Sequence, residues 1–108
     1  MLTVDTQALT QVITTCFNLA MDGRLNRDQQ KSFLVAGKRL RGTLVNLISA
    51  QFNDGTPEVL AANQQLVQVN LQVAQAVNNL GTLATVLDQI NILVGGLDEL
   101  LKLASSFH

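Results

Sequence analysis

The run VLAANQQLVQVNLQVAQAVNNLGTLATVLDQINILVGGLDELLKLA, residues 59–104, decides the fold. Stepped in alternating threes and fours it gives Val59, Ala62, Leu66, Val69, Val73, Ala76, Leu80, Leu83, Leu87, Ile90, Val94, Leu97, Leu101 and Ala104, every one apolar. That spacing brings the side chains onto one seam of a helix, as in a coiled coil. The simplest reading is a single helix over 57–104, about 70 Å long at 1.5 Å per residue, with shorter helices ahead of it covering the seam.

Length sets a problem for that reading. A helix over 27–53 reaches only about 40 Å. The half beyond Leu83 would project past its partners, and it is apolar on several sides, with Val86, Ile92, Leu93, Leu100 and Leu103 off the seam. It would need cover from a second copy or a partner helix. The other solution is a break within 78–82, at Asn78-Asn79-Leu80-Gly81-Thr82. The remainder would then fold back as a fourth helix in an up-down bundle with a radius of gyration of about 13 to 14 Å. The heptad phase runs through Leu80 and Leu83 without a slip, which favours continuity. A mean helix of only about 11 to 12 residues favours the break. Gly95-Gly96 is a second place where a kink fits.

Working outward, a first helix is expected over 5–22. Asp5 or Thr6 can cap it, and Leu9, Val12, Ile13, Cys16, Phe17 and Ala20 recur at helical spacing. Gly23 suits a left-handed closing residue. Asn26 with Gln29 three residues on has the form of a capping box, and the short connection favours antiparallel neighbours. The helix over 27–53 has Phe33, Gly37, Leu40, Leu44, Leu47 and Ile48 as its core face. Gly37 and Gly42 each cost about 1 kcal/mol against Ala in a helix interior, so Gly37 on an apolar face suggests close approach of a neighbour or a kink. Asn53-Asp54-Gly55-Thr56-Pro57-Glu58 then reads as helix stop, cap and helix start. The expectation is one domain, 1–108, all-α: an antiparallel bundle of helices 5–22, 27–53 and 57–104, or a four-helix bundle if 78–82 breaks.

Composition agrees. Apolar residues make up 47% of the 108, with four Phe and no Trp or Tyr, so Leu, Val, Ile and Ala must build the core. Net charge is −1 and charged residues are 14%, which leaves little repulsion between copies and favours a homo-oligomer. One Cys cannot form an internal disulfide, and the start lacks a basic leader region, so a cytoplasmic location is expected. The most apolar run, 80–94, is interrupted by Asp88, Gln89 and Asn91, and a membrane-spanning helix is not expected.

Two surfaces are candidates for function. One is the distal seam, Leu83, Leu87, Ile90, Val94, Leu97 and Leu101, as a dock for a second copy or a partner helix. The other is a basic stripe. All Lys and Arg except Lys102 lie between Arg24 and Arg41. On a helix Arg27, Lys31, Lys38 and Arg41 share an arc of roughly 80°, about 20 Å long, while Arg39 points elsewhere. Leu34, Val45 and Phe52 share its edge. Such a face can lie on an anionic membrane surface, track phosphates or dock an acidic partner; the plainer reading is a solvated face paired with Asp22, Asp28 and the acidic ends of neighbouring helices. Nucleic acid is disfavoured, because no aromatic residues are interleaved for stacking.

Other chemistry is thin. Residues 18–29 resemble a calcium loop only around Asp22-Gly23-Arg24-Leu25, with Ala20 and Gln29 where ligands are required. Cys16 reads as a small core residue. His108 is terminal and alone, and Asp98-Glu99-Lys102 reads as a surface group with an i, i+3 or i, i+4 pair. Asp88, between Leu87 and Ile90, is the carboxylate expected to be partly buried. Neither a metal site nor a cofactor is implied, and no phosphate loop is present. The expectation is a non-enzymatic structural or interaction protein.

Overall fold

The 57–104 run does not stay helical throughout. In the computed structural model, which describes residues 3–50, 52 and 57–104, the helices are α1 (Thr6–Ala20), α2 (Arg27–Ile48), α3 (Pro57–Asn78) and α4 (Leu83–Leu101), with a 3-10 turn at Leu80–Thr82 between the last two. Of the two solutions open to the sequence, the chain takes the break, and the continuous 57–104 helix is replaced by an α3–α4 hairpin.

The cause is local. The Asn79 backbone N–H still donates to the Gln75 and Ala76 carbonyls, closing α3. The Asn79 side chain then accepts from the Gly81 N–H at 3.2 Å, and the Thr82 hydroxyl donates to the Asn79 carbonyl at 2.9 Å. Asn favours such local bonds over a helical ladder. The break falls where α3, at 22 residues, matches the 22 residues of α2.

The helices pack as a square. α1 lies against α2 and α3, α4 lies against α2 and α3, and the pairs α1/α4 and α2/α3 sit on the diagonals. Side-chain bonds fix the directions. Asn63 accepts from the Asp5 N–H at 2.7 Å, Asn70 donates to the Ala8 carbonyl at 2.9 Å, and Arg24 donates to the Val77 carbonyl at 2.9 Å. α1 and α3 are therefore parallel neighbours. Thr43 Oγ1 lies 3.5 Å from Asp98 Oδ1, and earlier on both helices Ala36 shares a cleft with Leu87, so α2 and α4 are parallel as well. The antiparallel pairs are the two sequential hairpins, α1–α2 and α3–α4. The radius of gyration is 14.0 Å.

The α3 seam is buried as expected: Val59, Ala62, Leu66, Val69, Val73 and Ala76. α4 buries a wider face. Val86, Leu93 and Leu100, which lie off the expected seam, are in the core beside Leu83, Ile90, Val94, Leu97 and Leu101. Two neighbours on different sides account for the width. Of the off-seam residues only Ile92 and Leu103 stay exposed.

α1 and α2 follow their caps with corrections at the ends. Asp5 accepts from the Ala8 N–H, and Asn26 and Gln29 form the reciprocal capping box at 2.8 and 2.9 Å. Gly23 is not left-handed. α1 closes earlier, with the Met21 and Asp22 N–H groups returning to the Asn18 and Leu19 carbonyls. α2 ends at Ile48 rather than 53. Continued helix would carry Phe52 to the outer, basic edge; leaving the helix lets Phe52 turn fully into the core, beside Ala50, which continues the buried 40, 43, 47 spacing. Ile48, expected in the core, is exposed, while Ala36 and Thr43 are buried instead. Residues 53–56 of the expected stop-and-cap segment lie outside the described residues; Pro57 opens α3 as expected.

Gly37 is explained by close approach. A Cβ there would lie 2.9 Å from Phe17 Cε1, so the ring lies directly on the α2 backbone. Gly42 meets nothing within 4 Å. Gly42→Ala should therefore raise stability by up to about 1 kcal/mol. Gly37→Ala should forfeit that gain and destabilise by about 1 to 3 kcal/mol as the ring is displaced. Urea denaturation of both variants checks the contrast, and equal stabilisation by the two would refute the packing role of Gly37.

Candidate functional site

The outer face of α2 follows the same 4-3 spacing that buries α3, but turned to solvent. Arg27, Lys31, Leu34, Lys38, Arg41, Val45 and Ile48 are all exposed. The first five positions carry four cations, and the last two are apolar and open, Val45 at 64% and Ile48 at 69%. From Arg27 to Ile48 the face is about 30 Å long. The sequence placed the cations and Leu34 correctly. It missed Ile48, although the step 41, 45, 48 was the available signal.

The cations are largely unpaired. Asp22, one of the expected partners, is taken by Arg24: Nη2 to Oδ2 is 2.6 Å and Nε to Oδ1 is 3.0 Å. Among the described residues the ion pairs are Asp22–Arg24 and Glu99–Lys102, the latter at 3.0 Å and i, i+3 as expected. Asp28 sits in the first turn of α2, where a carboxylate offsets the helix dipole. Arg27, Lys31 and Lys38 thus face water without an ion-pair partner among the described residues. Arg41 differs: its guanidinium carbon lies 5.6 Å from the centre of the Phe17 ring, within cation–π range. Gly37 seats that ring, and the ring holds Arg41 at the stripe's edge.

Arg39 is indeed off the stripe. With Lys31 it flanks a shallow cleft between α2 and α4, about 300 Å³, floored by Ala36 and Leu87 and bordered by Ser32, Val35 and Asn91.

The distal seam is placed elsewhere. Leu83, Ile90, Val94, Leu97 and Leu101 are buried in the chain's own core, and Leu87 is half-buried against it. Exposing them to a partner would require opening the bundle. Leu80–Leu101 is long and apolar enough to cross a membrane by length and composition, with mean hydropathy 1.4; eight of its apolar side chains are buried in the core here, while Ile92 is exposed and Leu80 and Leu87 are half-buried.

The remaining candidates settle simply. Cys16 is fully buried, and burial pushes its thiol up to about 12, so it is a protonated core group. Asp88 points to solvent rather than into the core. No group of three His, Cys, Asp or Glu able to hold a metal occurs among the described residues. In the calcium-like segment the Asp22 carboxylate is occupied by Arg24, whose Nη2 also reaches the Val77 carbonyl in the last turn of α3. Arg24 thereby serves as a cationic cap for α3. His108 lies outside the described residues.

The Arg24 guanidinium beside Asp22 holds the Asp22 carboxyl down to about 2, chiefly through the side-chain hydrogen bond and then the Arg24 backbone N–H. A depressed folded-state pKa means the stabilisation is present above the ordinary aspartate value and is lost as pH falls through about 2. Asp22→Asn should therefore be less stable than the parent at neutral pH, and the gap should close progressively below about pH 4. Thermal melts from pH 7 to pH 2 test this, and a gap independent of pH would contradict it. Comparison with protein-family models, curated proteins and solved structures returns no match.

Proposed function

We propose that this is a non-enzymatic binding protein that docks the outer face of α2 on an anionic lipid surface. The observation that carries the reading is the coincidence, on one exposed face, of cations lacking ion-pair partners with open Leu34, Val45 and Ile48. A solvated face has no use for Val45 and Ile48 in line with the charges. A nucleic acid would take the cations but gain nothing from the apolar half, which offers no ring for stacking. A lipid interface takes both, the cations at headgroup level and the apolar residues at the acyl boundary.

Magnitudes support a reversible peripheral contact. Each Lys or Arg near an anionic leaflet contributes about 1 kcal/mol, so four give about 4 kcal/mol, a millimolar affinity. Sinking Val45 and Ile48 adds about 1.5 to 3 kcal/mol each if burial is complete, which brings the total toward the micromolar range. The cytoplasmic leaflet is the anionic one, which agrees with a cytoplasmic location.

Flotation with phosphatidylserine-containing vesicles tests the reading. Binding should be strong relative to phosphatidylcholine alone and should fall with added salt. Lys31→Glu with Lys38→Glu should weaken it by about 30-fold or more, since two attractions become repulsions. Val45→Ser with Ile48→Ser should weaken it while leaving the salt dependence unchanged. Equal binding to neutral vesicles, or an unaffected charge-reversal variant, would refute the assignment. Tighter binding to duplex DNA than to vesicles would redirect it to phosphate tracking.

A further inference from the structure

α3 carries a second, outward seam. Leu60, Gln64, Val67, Leu71, Ala74 and Asn78 repeat at 4-3 spacing and are all exposed, with Leu60 and Val67 at 53% and Leu71 at 60%. Between Leu60 and Asn78 the seam is about 27 Å long. It differs from the α2 face in one respect: no charged residue occurs between Glu58 and Asp88. We infer that this face binds a second copy of the same chain, α3 against α3 about a two-fold axis.

Three features select that occupant. A face that meets its own copy must be self-complementary, and like charges placed opposite each other would repel. The seam itself carries none; the carboxylates of Asp5 and Glu58 lie off it. The polar positions are amides, and an amide is both donor and acceptor, so Gln64 can pair with the same residue of the second copy. Past Glu58 in its first turn, α3 offers a partner of opposite charge nothing to recognise, whereas a second copy needs only a matching apolar seam. Beside the seam, between α1 and α3, lies an open groove of about 450 Å³ bordered by Asp5, Gln7, Ala8, Gln11, Val67, Asn70 and Leu71, with the Asp5 carboxylate accepting from the Ala8 N–H as the α1 cap. The seam thus offers a knob, Leu71, next to a recess that the second copy's Leu71 can enter, and the two-fold makes the exchange reciprocal. With a net charge of only −1, whole-molecule repulsion does not oppose pairing.

A consequence rests on the α2 docking reading. Since α2 and α3 occupy opposite corners of the square, pairing through α3 leaves the two α2 faces pointing away from each other. One dimer then joins two anionic surfaces.

Light scattering across a concentration series tests the pairing. The expected result is a species of twice 11.7 kDa. Val67→Glu with Leu71→Glu should raise the dissociation constant at least tenfold. Both sites are exposed, so its circular dichroism and melting temperature should match those of the parent. A chain that stays monomeric at all concentrations, or a dimer unaffected by the two changes, would overturn the inference. Vesicle assays separate it from the docking reading: the parent should bind and cluster anionic vesicles, and the Val67/Leu71 variant should bind without clustering. Clustering by that variant would overturn the bridging role. Failure of the parent to bind vesicles would refute α2 docking while leaving the dimer mass intact.

Discussion

Burial of the wide apolar face of α4 is the constraint on which the rest of the bundle depends. Eight of its 19 residues are buried Leu, Ile or Val. At about 1.5 to 3 kcal/mol per side chain, leaving them uncovered would cost on the order of 10 to 25 kcal/mol. Breaking the helix at Asn79 forfeits a few backbone hydrogen bonds worth about 0.5 to 1.5 kcal/mol each, part of which Asn79 and Thr82 restore. The fold-back wins by a wide margin. The face spans too broad an arc for one partner, so α2 and α3 take different sides of it. That places α2 and α3 on a diagonal and leaves one corner, between them, for α1. The amide bonds from Asn63 and Asn70 and the Arg24 cap then hold α1 and its connection parallel to α3.

The same geometry explains what could be read in advance. The α3 seam was legible because it faces the core along its whole length and repeats with one period. The break was legible from length, as one of two solutions, but periodicity could not choose it, because the turn at Leu80–Thr82 rejoins α4 in register and a periodicity is blind to a turn that preserves its phase. On α4 the reading followed one seam where two overlap: 83, 90 and 97 belong to both, 86, 93 and 100 to the second. Following one seam through both halves implied one direction of cover. The end of α2 was misplaced for a related reason. Helical spacing puts Phe52 on the basic edge, and only the demand to bury a phenylalanine unwinds the chain before it.

The candidate site was half legible. Spacing aligned Arg27, Lys31, Lys38 and Arg41, but whether those cations are paired depends on where the acids go, which is tertiary information. Asp22 and Asp28 were the expected partners; Arg24 takes Asp22 because the two share one turn, and Asp28 forms no ion pair among the described residues. Arg41 could be placed on the stripe but not on Phe17; that contact exists because Gly37 lets a ring lie where any side chain would exclude it. A residue read as a possible packing device therefore also positions a member of the binding face.

A net charge of −1 conceals how the charge is distributed. α2 carries its cations on the outside, the stretch from Val59 to Leu87 carries no charge, and Asp98 and Glu99 lie at the end of α4 that runs beside Thr43, beyond the cationic half of the stripe. Exposed charges separated by more than about 8 Å are largely screened at physiological ionic strength. An approaching surface therefore responds to the face it meets rather than to the molecular total. A slightly acidic chain can present a basic corner to an anionic surface and an uncharged corner to its own copy, because the diagonal placement of α2 and α3 keeps the two from sharing a side.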